Sequence, residues 1–200
     1  MKVPLVEIFR SLQGEGARTG FPAVFVRFAG CNLNCPWCDT PREPTLFLTP
    51  EETVAAVSRL GPEDVILTGG EPLISPCWRE IARLLREKGY RIAIETNGTI
   101  ELFAAERELI DYIAVSPKGD QRITRADEVR IVADETITAE RCKNLRAEIE
   151  ADYYFISPCD RGAAGIDIVR AVTLLGELNA AEPKPFWRLS IQAHKYGGFR

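Results

Sequence analysis

No run of about 18 apolar residues occurs in the chain, which excludes a helical membrane span. Charge of one sign is not in excess either. The formal net charge is −4, so the chain-wide basic footprint of a nucleic-acid-binding protein is missing, and neither nucleic acid nor membrane is expected as a partner. Cysteine is sparse, at six in 200 residues, too few for a disulfide-stapled scaffold. There is one histidine, His194. No internal repeat or low-complexity linker breaks the chain, although Glu182-Pro183-Lys184-Pro185 reads as a short connector. The opening Met1-Lys2-Val3-Pro4-Leu5-Val6-Glu7 meets a carboxylate too early for the apolar core of a signal peptide, and a cytoplasmic protein is expected. What is present is an ordinary globular balance, 46% hydrophobic and 27% charged, over a length that suits one domain, residues 1–200.

Short apolar runs recur, each ending in a polar loop: Val24–Phe28, Val65–Leu67, Ile92–Ile94, Ile113–Val115 and Tyr153–Ile156. Runs of this length, rich in β-branched and aromatic residues, read as buried parallel strands. Val129–Val132 is a sixth, and outer strands are expected near Leu5–Phe9 and Phe186–Ile191. Helical patterns fill several gaps. Thr49-Pro50-Glu51-Glu52 supplies an N-cap, a proline at the first helical position and a capping-box glutamate, for a helix to about Leu60 stopped by Gly61-Pro62. Helices are also expected over Trp78–Lys88, Ala139–Glu150 and Ile166–Leu178, whereas Gly119–Glu128 is too short and polar for one. Alternating strands and helices imply a parallel sheet. The expected architecture is α/β, an incomplete (β/α)6 barrel with extra N- and C-terminal strands and its chemistry on the loops after the strand ends.

Three of the six cysteines fall in Cys31-Asn32-Leu33-Asn34-Cys35-Pro36-Trp37-Cys38. In a reducing compartment this clustering favours a metal over disulfides. Thiolates are the usual ligands of iron–sulfur clusters, which commonly take four. Three from one loop leave one iron open, as a catalytic site requires. A zinc site completed by Cys142, Cys159 or His194 is the competing reading, and a Cys35/Cys38 dithiol a third.

Further polar groups follow successive strands. Thr68-Gly69-Gly70-Glu71-Pro72 offers a close backbone approach and an acceptor for an ammonium, or simply a turn. Ser116-Pro117-Lys118 suits a carboxylate, or a surface turn. Asn97, in Glu95-Thr96-Asn97-Gly98, suits a ribose or a turn. Cys77 and Cys142 lie on helical patterns and read as packed thiols. His194, after a strand end, is either a site residue or a surface one.

The C-x3-C-x2-C spacing with Trp37 before the third cysteine resembles the signature of the radical S-adenosylmethionine (SAM) superfamily. Ile8-Phe9-Arg10-Ser11-Leu12-Gln13-Gly14-Glu15-Gly16 narrows this, because it resembles the corresponding run of the 7-carboxy-7-deazaguanine synthase family, with which most of the chain is similar. The resemblance implies a lyase that uses a [4Fe–4S] cluster on Cys31, Cys35 and Cys38, SAM and Mg2+. It would convert 6-carboxy-5,6,7,8-tetrahydropterin to 7-carboxy-7-deazaguanine with loss of ammonia, in 7-deazapurine (queuosine-type) biosynthesis. A flavodoxin- or ferredoxin-type electron donor and a homodimer are implied too. SAM positions would be Trp37, Cys38, Asp39, Gly70, Glu71, Asn97, Ser116, Pro117, Lys118, Ser157, Pro158, Cys159 and Asp160. Substrate positions would be Leu12, Gln13, Gly14, Glu15, Arg27, Thr68, Glu95 and His194, and Thr40 would bind Mg2+. The residues suit these roles: a pterin edge needs mixed donors and acceptors, and an inward Arg27 can fork to a carboxylate, although strand alternation also permits it to face outward. An activase that installs a glycyl radical on a partner protein shares the cysteine spacing. A non-catalytic zinc or iron–sulfur module accounts for the cysteines but not for the other positions.

Overall fold

The structure, a computed structural model, describes residues 1–61, 64–180 and 186–199. Pro62 and the expected connector at Glu182–Pro185 lie outside these residues.

Six strands run parallel side by side: β2 (Pro22–Phe28), β4 (Asp64–Gly69), β5 (Arg91–Thr96), β6 (Tyr112–Val115), β7 (Arg125–Ala133) and β8 (Glu150–Asp160). On one side β1 (Val3–Leu12) pairs antiparallel with β2, and β3 (Leu46–Leu48) pairs antiparallel with β1. On the other side β10 (Trp187–Leu189) adds in parallel to β8, which also pairs with the two-residue β9 (Ile166–Asp167). The result is the incomplete barrel expected, with β3 and β10 at its two ends.

Helices α1 (Pro50–Ser58), α2 (Trp78–Glu87), α4 (Ala139–Glu148) and α5 (Ile168–Asn179) belong to the sheet's outer layer. α3 (Ala104–Arg107) and α6 (Ala193–Gly197) are short. The capping box of α1 forms: the Thr49 hydroxyl accepts from the Glu52 N–H at 3.2 Å, and the Glu52 carboxylate accepts from the Thr49 N–H at 2.8 Å. Two helices start or stop differently from the sequence pattern. Glu150 opens β8 instead of ending α4, because Ile149 leaves the helical conformation. Ile166 and Asp167 pair with β8, and the Asp167 side chain caps α5 through the Arg170 N–H. Likewise β10 ends at Leu189, and His194 sits in α6 and not at a strand end.

Alternation along each strand sorts side chains to two faces. Val24, Val26 and Phe28 of β2, Val65 and Leu67 of β4, Ile92 and Ile94 of β5 and Val129 and Ile131 of β7 face outward into one continuous apolar core with Trp78, Ile81 and Leu85 of α2. Fully burying such an aliphatic side chain contributes about 1.5–3 kcal/mol. The intervening residues face the barrel interior, where a small apolar floor of Phe9, Ala23, Phe25, Ile66 and Ala93 underlies polar side chains. A register shift between Leu5 and Glu7 in β1 changes which face its odd-numbered residues occupy, so Leu5 packs in the outer core whereas Phe9 stacks on Phe25 inside.

Candidate active site

Arg27, Thr68 and Glu95 stand near the C-terminal ends of their strands, and Arg130 midway along its own. Arg27 lies beside Thr68 in register, and Glu95 follows on β5 and Arg130 on β7. With the β1–β2 loop, Arg27, Thr68 and Glu95 line a cavity of about 430 Å3, whose wall includes Leu12, Gln13, Gly14, Glu15, Arg27, Thr68, Glu95 and His194, while Arg130 stands behind Glu15 and Glu95, off this wall. All eight expected substrate residues are therefore brought together, along with Asp39, Thr40 and Lys195.

One end of this cavity is held by a charge network. Arg130 is 5% exposed. Its Nη1 donates to Glu15 Oε2 and its Nη2 to Glu95 Oε1, both at 2.7 Å. Gln13 Nε2 (3.0 Å) and Thr68 Oγ1 (2.8 Å) also donate to Glu95. Burial alone would raise the Glu95 pKa, but the Arg130 charge and these hydrogen bonds outweigh it and hold the carboxyl down at about 2. Arg27, in register beside Thr68, faces inward over the Phe9 ring. It is not partnerless, as an inward arginine awaiting an anion would be, because Nε donates to Glu7 Oε1 at 2.9 Å. That bond uses one of the five guanidinium N–H groups. α6 backs the cavity: the Ala193 N–H donates to Gly14 O at 2.9 Å, and a Cβ on Gly14 would lie 2.4 Å from His194 Nδ1. The glycine thus lets the helix seat this closely. Lys195 of α6 binds both Asp39 and Asp160, and it holds the Asp160 carboxyl below its usual range.

The cysteine loop adjoins this cavity through Asp39 and Thr40. Cys31 and Cys35 are half-buried, Cys38 is exposed, and none of the six cysteines is in a disulfide. The loop is fastened from several strands. Trp37 Nε1 donates to Asp134 Oδ2 at 2.9 Å, and the Lys118 ammonium lies 5.3 Å from the centre of the Trp37 ring. Trp37, Asp39, Ser116, Ser157, Pro158 and Asp160 line a narrow crevice together with Glu15, Arg130 and Gln192. Cys38 and Cys159 line an adjoining pocket with Trp37 and Asp160, and Pro117 and Lys118 line another with Cys35 and Trp37. Most expected SAM residues therefore gather around the cysteine loop.

Three of them do other work. Glu71 is fully buried, and its carboxylate accepts from the Leu73 N–H, the Thr96 hydroxyl and the Asn97 N–H, so in this structure it closes the turns after β4 and β5. Burial pushes its pKa up. Gly70 brings chain against chain, not chain against ligand: a Cβ there would lie 1.8 Å from Gly30 O. The Asn97 amide donates to Asn32 Oδ1 at 2.9 Å and accepts from the Thr99 N–H, so it ties β5 to the cysteine loop instead of offering itself to a ribose.

The residues fit an iron–sulfur cluster and SAM on chemical grounds. Three unpaired thiols come from one loop, and the Leu33 N–H points at Cys31 Sγ (3.4 Å), a donor suited to an anionic sulfur. Ser157 Oγ is buried without a hydrogen-bond partner, an orphan that a polar ligand in the crevice would satisfy. A zinc site is poorly supplied. Cys142 packs in the outer core and His194 lies against Gly14, so neither joins the loop. Among the described residues no three His, Cys, Asp or Glu side chains converge as a single ion would need.

Sequence reasoning missed Glu7, Arg130, Gln192 and Lys195. Arg130 carried a signal, a lone cation inside the apolar run Val129–Val132. The others are visible only once strands far apart in sequence are adjacent.

Sequence comparison agrees with this site. The model of the Radical SAM superfamily matches residues 25–153, and the chain is a radical SAM protein. It is 42% identical to 7-carboxy-7-deazaguanine synthase of Haemophilus influenzae, over 97% of this chain and 92% of that protein. It is 40% identical to the synthase of Neisseria meningitidis with the same coverage. The crystal structure of QueE from Escherichia coli has a TM-score of 0.73 at 28% identity, covering 97% of this chain and 95% of that one. The chain belongs to the 7-carboxy-7-deazaguanine synthase family. The activase and the non-catalytic module are not favoured by these matches.

Proposed function

We propose that this chain is a radical SAM lyase that converts 6-carboxy-5,6,7,8-tetrahydropterin to 7-carboxy-7-deazaguanine with loss of ammonia, in 7-deazapurine biosynthesis. The observation that carries the reading is the cavity's polarity. It has an acceptor-rich end at Glu15 and Glu95, a guanidinium at Arg27, and a wall shared with the cysteine loop. A pterin carboxylate has a donor-rich ring edge at one end and an anion at the other.

In this reading Cys31, Cys35 and Cys38 hold the [4Fe–4S] cluster, and Trp37, Lys118, Ser157 and Asp160 surround SAM. When bound, cluster and SAM together supply one-electron chemistry that takes a hydrogen atom from a substrate carbon. The chain's own residues orient that carbon. Glu15, Glu95 and Gln13 take the ring edge, and Arg27 forks to the carboxylate through its remaining N–H groups. The Thr40 hydroxyl would supply an oxygen to Mg2+, a hard cation that takes oxygen ligands. His194 and α6 cover the ring and exclude water.

The reading also includes a single radical SAM domain over residues 1–200 in the cytoplasm, a flavodoxin- or ferredoxin-type electron donor, and a homodimer. No helix among the described residues is long and apolar enough to cross a membrane. The exposed Val169 and Val172 on α5 support an interface between copies.

The test is anaerobic reconstitution with iron and sulfide, reduction, and incubation with SAM, Mg2+ and the pterin, read by mass spectrometry. SAM-dependent 7-carboxy-7-deazaguanine is expected. Cleavage of SAM without deazaguanine would leave the radical SAM assignment standing and remove the substrate.

A further inference from the structure

We infer that Arg130 is a positioning residue that sets substrate selectivity: it fixes the Glu15 and Glu95 carboxylates as a pair of acceptors, so that the cavity takes a ring edge presenting N–H groups and refuses one presenting a carbonyl. The inference rests on the pterin reading above and adds a residue outside the cysteine, SAM and substrate sets.

Arg130 is placed to do this, although it also lines the crevice beside Trp37 and Ser157. Its three nitrogens reach three chain segments: Nη1 the β1–β2 loop at Glu15, Nη2 β5 at Glu95, and Nε lies 3.1 Å from Glu128 on its own strand. The Nε contact is off the hydrogen-bond direction, so the two cavity carboxylates receive the aligned bonds. A lysine ammonium has no planar fork with which to span both.

The remaining acceptor capacity points to N–H groups. A carboxylate offers about four lone-pair sites. In Glu15 one oxygen takes Arg130 and the other takes Gln192 Nε2 at 2.8 Å. In Glu95 Oε1 takes Gln13 and Arg130, while Oε2 takes only Thr68. Both residues line the cavity, so their unused lone pairs are available to a ligand. The depressed pKa of Glu95 keeps it an acceptor at neutral pH. One cation set among three carboxylates also leaves negative charge over, which donors on a ligand would offset. Replacing the 2-amino group of the ring by an oxo group would set lone pair against lone pair.

Glu128 separates this role from simple support of the barrel. It touches Arg130, but its carboxylate accepts from the Ala17 N–H (2.8 Å) and the Tyr112 hydroxyl (2.9 Å), and it lines neither the cavity nor the adjoining crevice, whose wall includes Arg130.

The experiment compares KM and kcat for the carboxypterin with the Ki of its 2-oxo (lumazine) analogue in the reconstituted enzyme. The wild type is expected to favour the pterin by about a hundredfold or more, as sites built around hydrogen bonds do. Arg130→Lys should cut that ratio by about tenfold or more, mainly through KM, with SAM affinity within about threefold of wild type. Arg130→Gln should cut it further, and if that variant fails to fold, Arg130→Lys decides alone. Glu128→Gln should lower Tm and keep the ratio. Wild-type selectivity in Arg130→Lys overturns the inference, as does an equal loss in Glu128→Gln, which would make the network a structural tie. A wild type that turns over no pterin fails at the substrate reading instead, before any variant is compared.

Discussion

Ile94 and Glu95 are neighbours on one strand, yet they belong to different halves of the molecule. Ile94 is fully buried in the apolar layer between sheet and helices. Glu95 faces the interior and collects hydrogen bonds from Gln13, Thr68 and Arg130. The same split runs through β7, where Val129 and Ile131 alternate with Glu128 and Arg130. One face needs only apolar bulk that fits, so many sequences would serve. The other carries ionised groups whose burial is costly unless each has its partners. A cost of that kind, concentrated on one face, marks where the chain does chemistry.

The contrast can be broken at its largest effect in the cysteine loop. Cys35→Ala should abolish iron and sulfide binding and product formation, while thermal unfolding of the cluster-free protein moves little, because Cys35 is only half-buried in a loop. Wild-type iron content in that variant would contradict the assignment. The outer face should behave oppositely. Ile94→Ala should cost about 2–5 kcal/mol by denaturant titration, through lost transfer energy and a residual cavity. At temperatures where the variant is folded its KM should be close to wild type. A large KM change with little lost stability would show that the two faces are not separable.

The outer face was the more legible in sequence. Six apolar runs gave the six parallel strands, and the Thr49–Glu52 pattern gave the start of α1, because both signals are local. β3 was not legible: its three residues include the exposed Leu46 and Phe47, and it forms only because β1 lies beside it. The cysteine loop could be read because its three cysteines fall within eight positions. Its fastening could not, since Trp37 meets Asp134 from 97 residues away. Arg130 and Glu15, 115 apart, pose the same problem. Glu71 and Asn97 differ again: the sequence shows their motifs but not the backbone N–H groups, of the turns they close, from which their side chains accept.

Within the inner face, Arg27→Ala should raise the substrate KM by about tenfold or more, roughly 1.4 kcal/mol or above, and leave SAM affinity unchanged. Equal losses in both, by steady-state kinetics and SAM titration, would deny Arg27 a place at the substrate carboxylate. The effect should stay below that of losing a cluster ligand. Glu7 Oε1 accepts from Arg27 Nε, so removing the guanidinium also takes that bond from Glu7.

Thr40→Ala should have the smallest effect of the four. A hydroxyl is a weak ligand for Mg2+, which keeps several waters and relies on charged oxygens where it can. Thr40 shares the cavity with Arg27, so an ion there would sit between the hydroxyl and the same substrate carboxylate. Losing one neutral ligand should let water take its position. Activity in saturating Mg2+ should then fall only a few-fold, while half-maximal stimulation moves to higher Mg2+. The neighbouring Asp39 is bound to Lys195, so its carboxylate is not free to replace the hydroxyl without releasing α6. An unchanged Mg2+ titration would remove Thr40 from the metal site. A loss as large as that of Arg27→Ala would mean instead that the hydroxyl holds the substrate itself.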